Sequence, residues 1–232
     1  MEKIEFILEE FNKCDIKLSA EQAEKFLKLY EFLIEYNKNV NLTAITDFKE
    51  VVVKHFIDSV LPFTKVSIAK DSSFIDVGTG AGFPSIPLMI VRADLKGTLL
   101  EALNKRCVFL EKACELVGIK ANIVHARAED YAKDKRESFD FATARAVAAM
   151  PVLCEYCMPY VKAGGRFIAL KSVNEEIGQS ENAIKVLGGK IGEVVDYTIT
   201  NGDSRRLFII DKISHTPTKY PRNPSMIKKK PL

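Results

Sequence analysis

The sequence predicts an α/β fold. It should contain a seven-stranded, mostly parallel sheet flanked by helices, ending in an antiparallel hairpin, with a small N-terminal helical extension. Three observations carry this expectation. From residue 71 onward, short apolar runs of strand character alternate with helix-length segments, the texture of a parallel sheet with crossover helices. The first run, Phe74-Ile-Asp-Val77, passes straight into Gly78-Thr-Gly80-Ala-Gly82-Phe83-Pro84, a strand that stops at a glycine turn and restarts as a helix. The last two runs, 190–200 and 206–210, are joined only by Asn201-Gly-Asp-Ser204. So short a link permits only an antiparallel hairpin.

Taken in order, residues 1–65 form the helical extension. Ser19-x-x-Gln22 has the form of a capping box, with Leu18 placed ahead of it as a staple. Beyond it Ala23, Phe26, Leu27, Tyr30, Leu33 and Ile34 recur at three and four residues, an apolar stripe that must pack on something. Three asparagines within residues 37–41 break the pattern. A second helix is expected over 48–61, carrying His55 and Asp58 one turn apart, where they can hydrogen-bond along one face. A structural role for that pair is the simpler reading.

Residues 66–212 form the sheet domain. Strands are expected at 73–77, 98–101, 122–126, 139–144 and 166–170, the fifth entered through a Gly164-Gly165 turn. Helices are expected from Pro84, which suits a first turn, over 105–117 with a stop at Gly118, and over 147–160 and 175–187. Residues 213–232 make a basic tail. Four prolines from residue 216 onward argue against regular helix or inner strand there.

Composition excludes several classes. The chain has 232 residues, 47% of them hydrophobic and spread along its length, which suits one α/β domain with a modest extension. No apolar run reaches the ~18 residues of a membrane span, and the segment opening at Met1 is amphipathic, unlike a signal peptide. A cytoplasmic protein without a membrane partner is expected. Five cysteines, an odd number without framework spacing, suit free thiols in a reducing compartment. Cys154-x-x-Cys157 lacks a second pair or a nearby histidine, so no metal is expected. Net charge is +3, but residues 212–232 hold six basic side chains and no acidic one, leaving 28 basic against 31 acidic groups elsewhere. A near-neutral body with a basic tail suits a polyanionic partner; a solvated tail is the equal alternative.

Ligands in such sheets bind outside the carboxyl ends of the strands. The glycine stretch Gly78, Gly80, Gly82 follows the first strand. It has the form Asp-x-Gly-x-Gly-x-Gly rather than the dinucleotide spacing, and resembles the first motif of S-adenosylmethionine-dependent methyltransferases. Glu101 ends the second strand, where a carboxylate can accept both hydroxyls of a ribose. After the third strand, Glu129 suits either an adenine edge or the first turn of a helix. Basic residues follow four strand ends in succession: Lys105 and Arg106, then Arg127, Arg145 and Lys171. Such a ring of cations suits nucleic-acid phosphates.

The absences narrow the reaction. After the fourth strand stands Thr143-Ala-Arg145-Ala-Val147, without the Asn or Asp that accepts from an exocyclic amine. Neither Cys154 nor Cys157 sits at that strand end, as a nucleophile for pyrimidine C5 would. Guanine N7 fits, because it has an in-plane lone pair and no proton to remove, so catalysis reduces to positioning.

Together these stretches resemble the bacterial 16S ribosomal RNA (guanine-N7) methyltransferase family, RsmG, formerly GidB. The resemblance covers nearly the whole chain. It rests on Asn41-Leu-Thr-Ala-Ile45, His55-Phe-Ile-Asp-Ser59, the glycine stretch through Pro84, Lys105-Arg106, Arg127-Ala-Glu129, Ala144-Arg-Ala-Val147, Ala169-Leu-Lys171 and Tyr220-Pro-Arg222. It implies the methyltransferase fold, S-adenosyl-L-methionine as cofactor, and guanine 527 of 16S ribosomal RNA in the small ribosomal subunit as target; separately, a monomer is expected. By the resemblance, Gly78, Phe83, Ala128, Glu129 and Arg145 contact the cofactor, with Glu101, Ala102 and Leu103 beside them. Arg145 and Lys171 are the catalytic candidates. Lys105, Arg127, Arg206 and Arg222 are candidates for RNA. The chain departs from the family at Glu101, where Asp is common, and at Ser85 and Ser172, where Gly is. Two other readings stay open: a nucleotide-dependent oxidoreductase, opposed by the glycine spacing and hairpin, and a non-catalytic RNA-binding protein that keeps a cofactor pocket.

Overall fold

The computed structural model describes residues 2–232; Met1, which opens the segment read as amphipathic, lies outside them. The strands are β1 (Ser73–Val77), β2 (Lys96–Glu101), β3 (Asn122–His125), β4 (Phe139–Arg145), β5 (Val161–Ser172), β6 (Gly189–Thr198) and β7 (Ser204–Lys212). They form one seven-stranded sheet in the order β3-β2-β1-β4-β5-β7-β6. All pairings are parallel except those of β7, which runs antiparallel to both β5 and β6. The expected terminal hairpin is therefore present.

Helices cover both faces. They are α1 (Glu2–Asn12), α2 (Ala20–Asn37), α3 (Phe48–Val51), α4 (Asp58–Thr64), α5 (Ser85–Val91), α6 (Asn104–Val117), α7 (Ala128–Tyr131), α8 (Met150–Cys157), α9 (Glu181–Val186) and α10 (Pro224–Lys229). Alternation along β1 assigns its side chains to two apolar clusters, Phe74 to one face and Ile75 and Val77 to the other, as the two-residue strand period requires. No helix among the described residues is long and apolar enough to cross a membrane.

The N-terminal helices share the first cluster with β1, α5 and α6. Ser19 and Gln22 form both reciprocal bonds of the capping box at the start of α2, and Gln22 also donates to the Ile90 carbonyl at the end of α5 (3.0 Å). The buried face of α2 is Ala23, Phe26, Leu29 and Leu33, with Leu27, Tyr30 and Ile34 only half-buried. The stripe is rotated toward Leu29 because α2 packs on α1, α5 and α6 together. An aromatic chain then leads inward, from Phe11 to Phe26 (centroids 4.9 Å), Phe56 (5.0 Å) and Phe83 (6.1 Å). Its last member belongs to the glycine loop.

Several boundaries differ from the sequence expectation, each for a local reason. The helix expected over 48–61 runs on to Thr64 and carries a π-helical turn, Val52–Ile57. Strand β5 begins at Val161 and not after the two glycines: Gly164 takes φ +85 inside the strand, where the register between β4 and β5 is irregular, as at a bulge. Helix α8 starts at Met150 and not at 147, because Ala146–Ala149 is a loop, and Glu175 Oε1 accepts from Met150 N (2.7 Å). Only the later part of 175–187 is α-helix. The proline-rich close does hold a short helix, α10, because Pro224 falls in its first turn behind the Asn223 cap.

The tail is also less free than its charge suggested. Arg136 donates to the carbonyls of Thr216, Pro217 and Tyr220. Lys212 is buried, donating to Met158 O (2.9 Å) and Thr216 Oγ1 (2.5 Å). Arg222 forks onto Glu155, whose side chain is fully buried, at 2.8 and 2.6 Å. Removing one partner of a buried pair leaves the other uncompensated. Arg222→Ala should therefore lower unfolding stability by about 3 kcal/mol, measured by urea denaturation, while Lys219→Ala, at an exposed position, should leave it unchanged.

Candidate active site

The strand order reverses between β1 and β4, and in open α/β sheets the ligand crevice opens at that point, outside the carboxyl ends. Gly78 follows β1 and Arg145 ends β4, so both stand at its lips. Two cavities lie there. One, of about 320 Å³, is lined by Gly78, Ala102, Arg127, Ala128 and Glu129, with Val147 among its walls. The other, of about 440 Å³, is lined by Lys54, His55, Asp58, Arg145, Lys171 and Arg205, among others. The two draw on successive residues of one loop, Ala146 lining the larger cavity and Val147 the smaller. Ala146 holds φ +56, a region that costs a non-glycine residue about 1 kcal/mol or more.

The glycine loop is shaped by close approach. Gly78 has φ +72, and a Cβ there would stand 3.0 Å from Val147 Cγ2. Gly82 has φ +82, and its Cβ would lie 2.5 Å from Ile86 Cδ1, so only glycine fits. Beneath the loop, Asp76 Oδ2 accepts from the hydroxyls of Thr79 and Ser85, both at 2.6 Å. Burial pushes this carboxyl up to about 6. Ser85, where the family tends to glycine, is thus a partner of the buried acid. Asp76 Oδ1 and Thr143 Oγ1, at paired positions on β1 and β4, are buried without a hydrogen-bond partner among the described residues.

Glu101, expected as a ribose acceptor, is drawn into the protein at the end of β2. It is 5% exposed, its two oxygens accepting from Gly80 N (3.1 Å) and Leu103 N (2.9 Å), with Arg106 at 3.7 Å. Its carboxylate braces the glycine loop against the β2 turn. Gly80, Gly82, Phe83, Glu101 and Leu103 do not line the smaller cavity, whereas Gly78, Ala102, Ala128 and Glu129 do. Glu129 also sits in the first turn of α7, the second of its two expected settings.

In the larger cavity Arg145 is the centre. Its Nη1 donates to Asp58 Oδ2 (3.2 Å) and to Lys54 O (3.3 Å), and its Nη2 to His55 Nδ1 (3.2 Å). Its guanidinium lies over the Phe83 ring at 5.3 Å, and His55 stacks on the same ring at 4.7 Å. Since Nδ1 of His55 accepts, its Nε2 carries the proton and donates to Thr43 Oγ1 (2.8 Å). Burial, reinforced by Arg145, pulls the imidazole down to about 4. Asp58 Oδ1 also accepts from Tyr197 Oη (3.2 Å) and pairs with Arg205 Nε (3.4 Å). His55 and Asp58 therefore act in concert on Arg145, and the expected bond between them gives way to two bonds to the guanidinium. The π-helical turn that carries His55 is a feature often found at functional positions.

Lys171 joins this cavity, bonded to the Ala148 carbonyl and to Glu175 Oε2 (2.9 Å). The remaining cations separate. Lys105 and Arg127 are exposed near the strand ends. Arg206 forks onto Asp196 at 2.6 and 2.8 Å, on the hairpin. Arg222 lines neither cavity, and its guanidinium is held by Glu155. Lys54, Tyr197 and Arg205 were missed in the sequence: Tyr197 and Arg205 face each other only through the β6–β7 register, which no local pattern discloses. Cys154 and Cys157 are fully buried, and burial pushes the Cys154 thiol up to about 12, so neither is a nucleophile at neutral pH. Among the described residues no group of three His, Cys, Asp or Glu side chains is gathered for a metal.

Residues 22–206 match the model of the GidB family, rRNA small subunit methyltransferase G. The chain belongs to this family. It is 51% identical over 223 residues to ribosomal RNA small subunit methyltransferase G of Clostridium beijerinckii, covering 94% of this chain and 93% of the relative. It is 43% identical over 235 residues to the protein of the same name from Leuconostoc mesenteroides, covering 98% of each. Among solved structures, a precorrin-6y C5,15-methyltransferase from Geobacter metallireducens matches with TM-score 0.52 at 15% identity, covering 66% of this chain and 86% of that one. M. jannaschii TYW2 in complex with AdoMet matches with TM-score 0.52 at 13% identity, covering 63% and 72%. These likenesses bear out the fold. As a GidB family member the chain is an S-adenosylmethionine-dependent methyltransferase, and the oxidoreductase alternative falls.

The depressed imidazole makes stability depend on pH. With a folded value near 4 and an unfolded one near 6.5, the unfolded chain binds more protons between them. The contribution is complete above about pH 6.5 and is lost as pH falls toward 4. Relative to His55→Gln, the wild type should gain on the order of 2–3 kcal/mol between those limits, read from chemical denaturation at a series of pH values.

Proposed function

We propose that this enzyme transfers a methyl group from S-adenosylmethionine to N7 of guanine 527 in 16S ribosomal RNA of the small subunit, with the donor in the smaller cavity and the base in the larger one. The reading is supported most by Arg145, a buried guanidinium held between Asp58 and the His55–Phe83 stack at the carboxyl end of β4. The names of the relatives support the ribosomal substrate, and we place the reaction in the cytoplasm, with the enzyme acting as a monomer.

The residues of the smaller cavity fit the donor. Gly78, Ala102, Ala126 and Ala128 present little side chain, so backbone can approach a nucleoside closely. Glu129 supplies a carboxylate for its polar edge. S-adenosylmethionine supplies a methyl group on a positively charged sulfur.

The protein's part is positioning. Guanine N7 needs no proton removed, and the groups around Arg145 are not set to remove one. Both ring nitrogens of His55 are engaged, and Arg145 keeps its proton because arginine is always charged at working pH. The planar guanidinium, already oriented on Phe83, offers a stacking or phosphate-binding face to an incoming nucleotide. Lys54, Lys171 and Arg205 add positive charge around it against Asp58 and Glu175, which suits a nucleotide carrying its phosphates. Lys105 and Arg127 extend that charge over the outer surface.

Purified protein, small subunits and labelled donor test the reading: a label on guanine N7 at that position supports it, and a label elsewhere or none overturns it. Arg145→Lys, which keeps the charge but loses the fork, should lower kcat by about 100-fold or more while donor affinity changes little; unchanged turnover would remove Arg145 from the mechanism. Lys105→Ala should reduce the slope of log RNA affinity against log salt by about 0.7–0.9, with donor binding unaffected.

A further inference from the structure

We propose that the C-terminal strap completes the donor site: Pro224 and Lys228, on α10, form the outer wall of the cavity that takes the adenosine end of S-adenosylmethionine. This rests on the assignment of the smaller cavity to the donor. Both residues line that cavity together with Gly78, Ala128, Glu129 and Tyr156. Neither lies within the stretch that matches the family model, which ends at residue 206.

The strap is built into the fold. Arg136 fastens its start through three carbonyls, and Arg222 fastens its middle through its side chain and backbone N–H to the buried Glu155. Ile227, fully buried, inserts into the apolar cluster shared with α8. On a short helix, positions 224 and 228 lie one turn apart on one face, so the anchoring of Ile227 sets that face against the cavity. The chemistry suits a nucleoside. Pro224 gives a rigid apolar surface for a purine, as ligand sites use, and Lys228 brings an ammonium to a cavity that already holds the Glu129 carboxylate. A donor seated there is covered on its outer side, and exchange of spent for fresh donor requires α10 to lift or the ligand to slip beneath it. The exposed Lys228, Lys229 and Lys230 place that cover beside a polyanionic substrate.

The test uses the full chain and the donor itself. Hydrogen exchange of amides 225–230 should slow about tenfold when S-adenosylmethionine is added, the opening being tied to bound donor. In stopped-flow measurements, deletion of residues 223–232 should speed donor dissociation about tenfold, and Lys228→Ala by a smaller factor, since affinity differences reside mainly in the off-rate. If the deleted chain fails to fold, exchange and Lys228→Ala decide alone. Unchanged exchange at 225–230 together with unchanged dissociation from Lys228→Ala overturns the proposal while leaving the donor assignment intact, because donor binding is itself observed. No donor binding by the full chain overturns both.

Discussion

The pairing of Arg145 with Asp58 is the constraint on which the site depends. Arg145 ends a central strand, and burial pulls its pKa down; without an anion it would be an uncompensated charge in the protein interior. Asp58 meets it at 3.2 Å and, through its other oxygen, takes the Tyr197 hydroxyl and Arg205. One carboxylate thereby ties three parts of the chain to a point: the N-terminal helices, the end of β4 and the terminal hairpin. Such a pair adds little net stability, because desolvation offsets attraction. What it adds is orientation, a guanidinium held over Phe83 at the edge of a cavity.

The same logic explains why the N-terminal helices are packed as they are. The aromatic chain from Phe11 through Phe26 and Phe56 to Phe83 carries their packing to the glycine loop. Thr43 takes the Nε2 proton of His55 from the asparagine-rich turn, itself held by Asn37, whose side chain accepts from Leu42 N and Thr43 N. Helices that looked like an appendage in the sequence therefore supply one wall of the site. Interiors that are close-packed transmit such placement, since side chains have few alternative positions.

Much was legible along the chain because it depends on neighbours in sequence. The glycine stretch announced its strand-turn-helix, Ser19 and Gln22 announced their cap, and the short link at 201–204 left no alternative to a hairpin. Boundaries were harder. Gly164-Gly165 looked like a turn, but a bulge within a strand asks for the same residues, and only the pairing of β4 with β5 distinguishes the two. Prolines after residue 216 argued against helix, yet Pro224 is in a first turn, where its missing N–H has no intrahelical acceptor to lose. At Ser85 the departure from the family pattern is matched by a hydroxyl that donates to Asp76.

By itself the sequence determined the fold class, the glycine loop and, through a family resemblance, the reaction. These are carried by short-range patterns and by residue types whose conformational limits are intrinsic. Tertiary structure decided which cations gather at one cavity. Arg145 and Lys171 are gathered with Lys54 and Arg205 around one cavity, whereas Arg222 is committed to Glu155. It also decided that His55 and Asp58 hold an arginine and not each other, and that the tail's helix lines a cavity. The reason is physical: a charged side chain binds whatever opposite charge the packing brings within a few ångströms, and that partner stands 87 residues away for Arg145 and 67 for Arg222, beyond the reach of any local pattern.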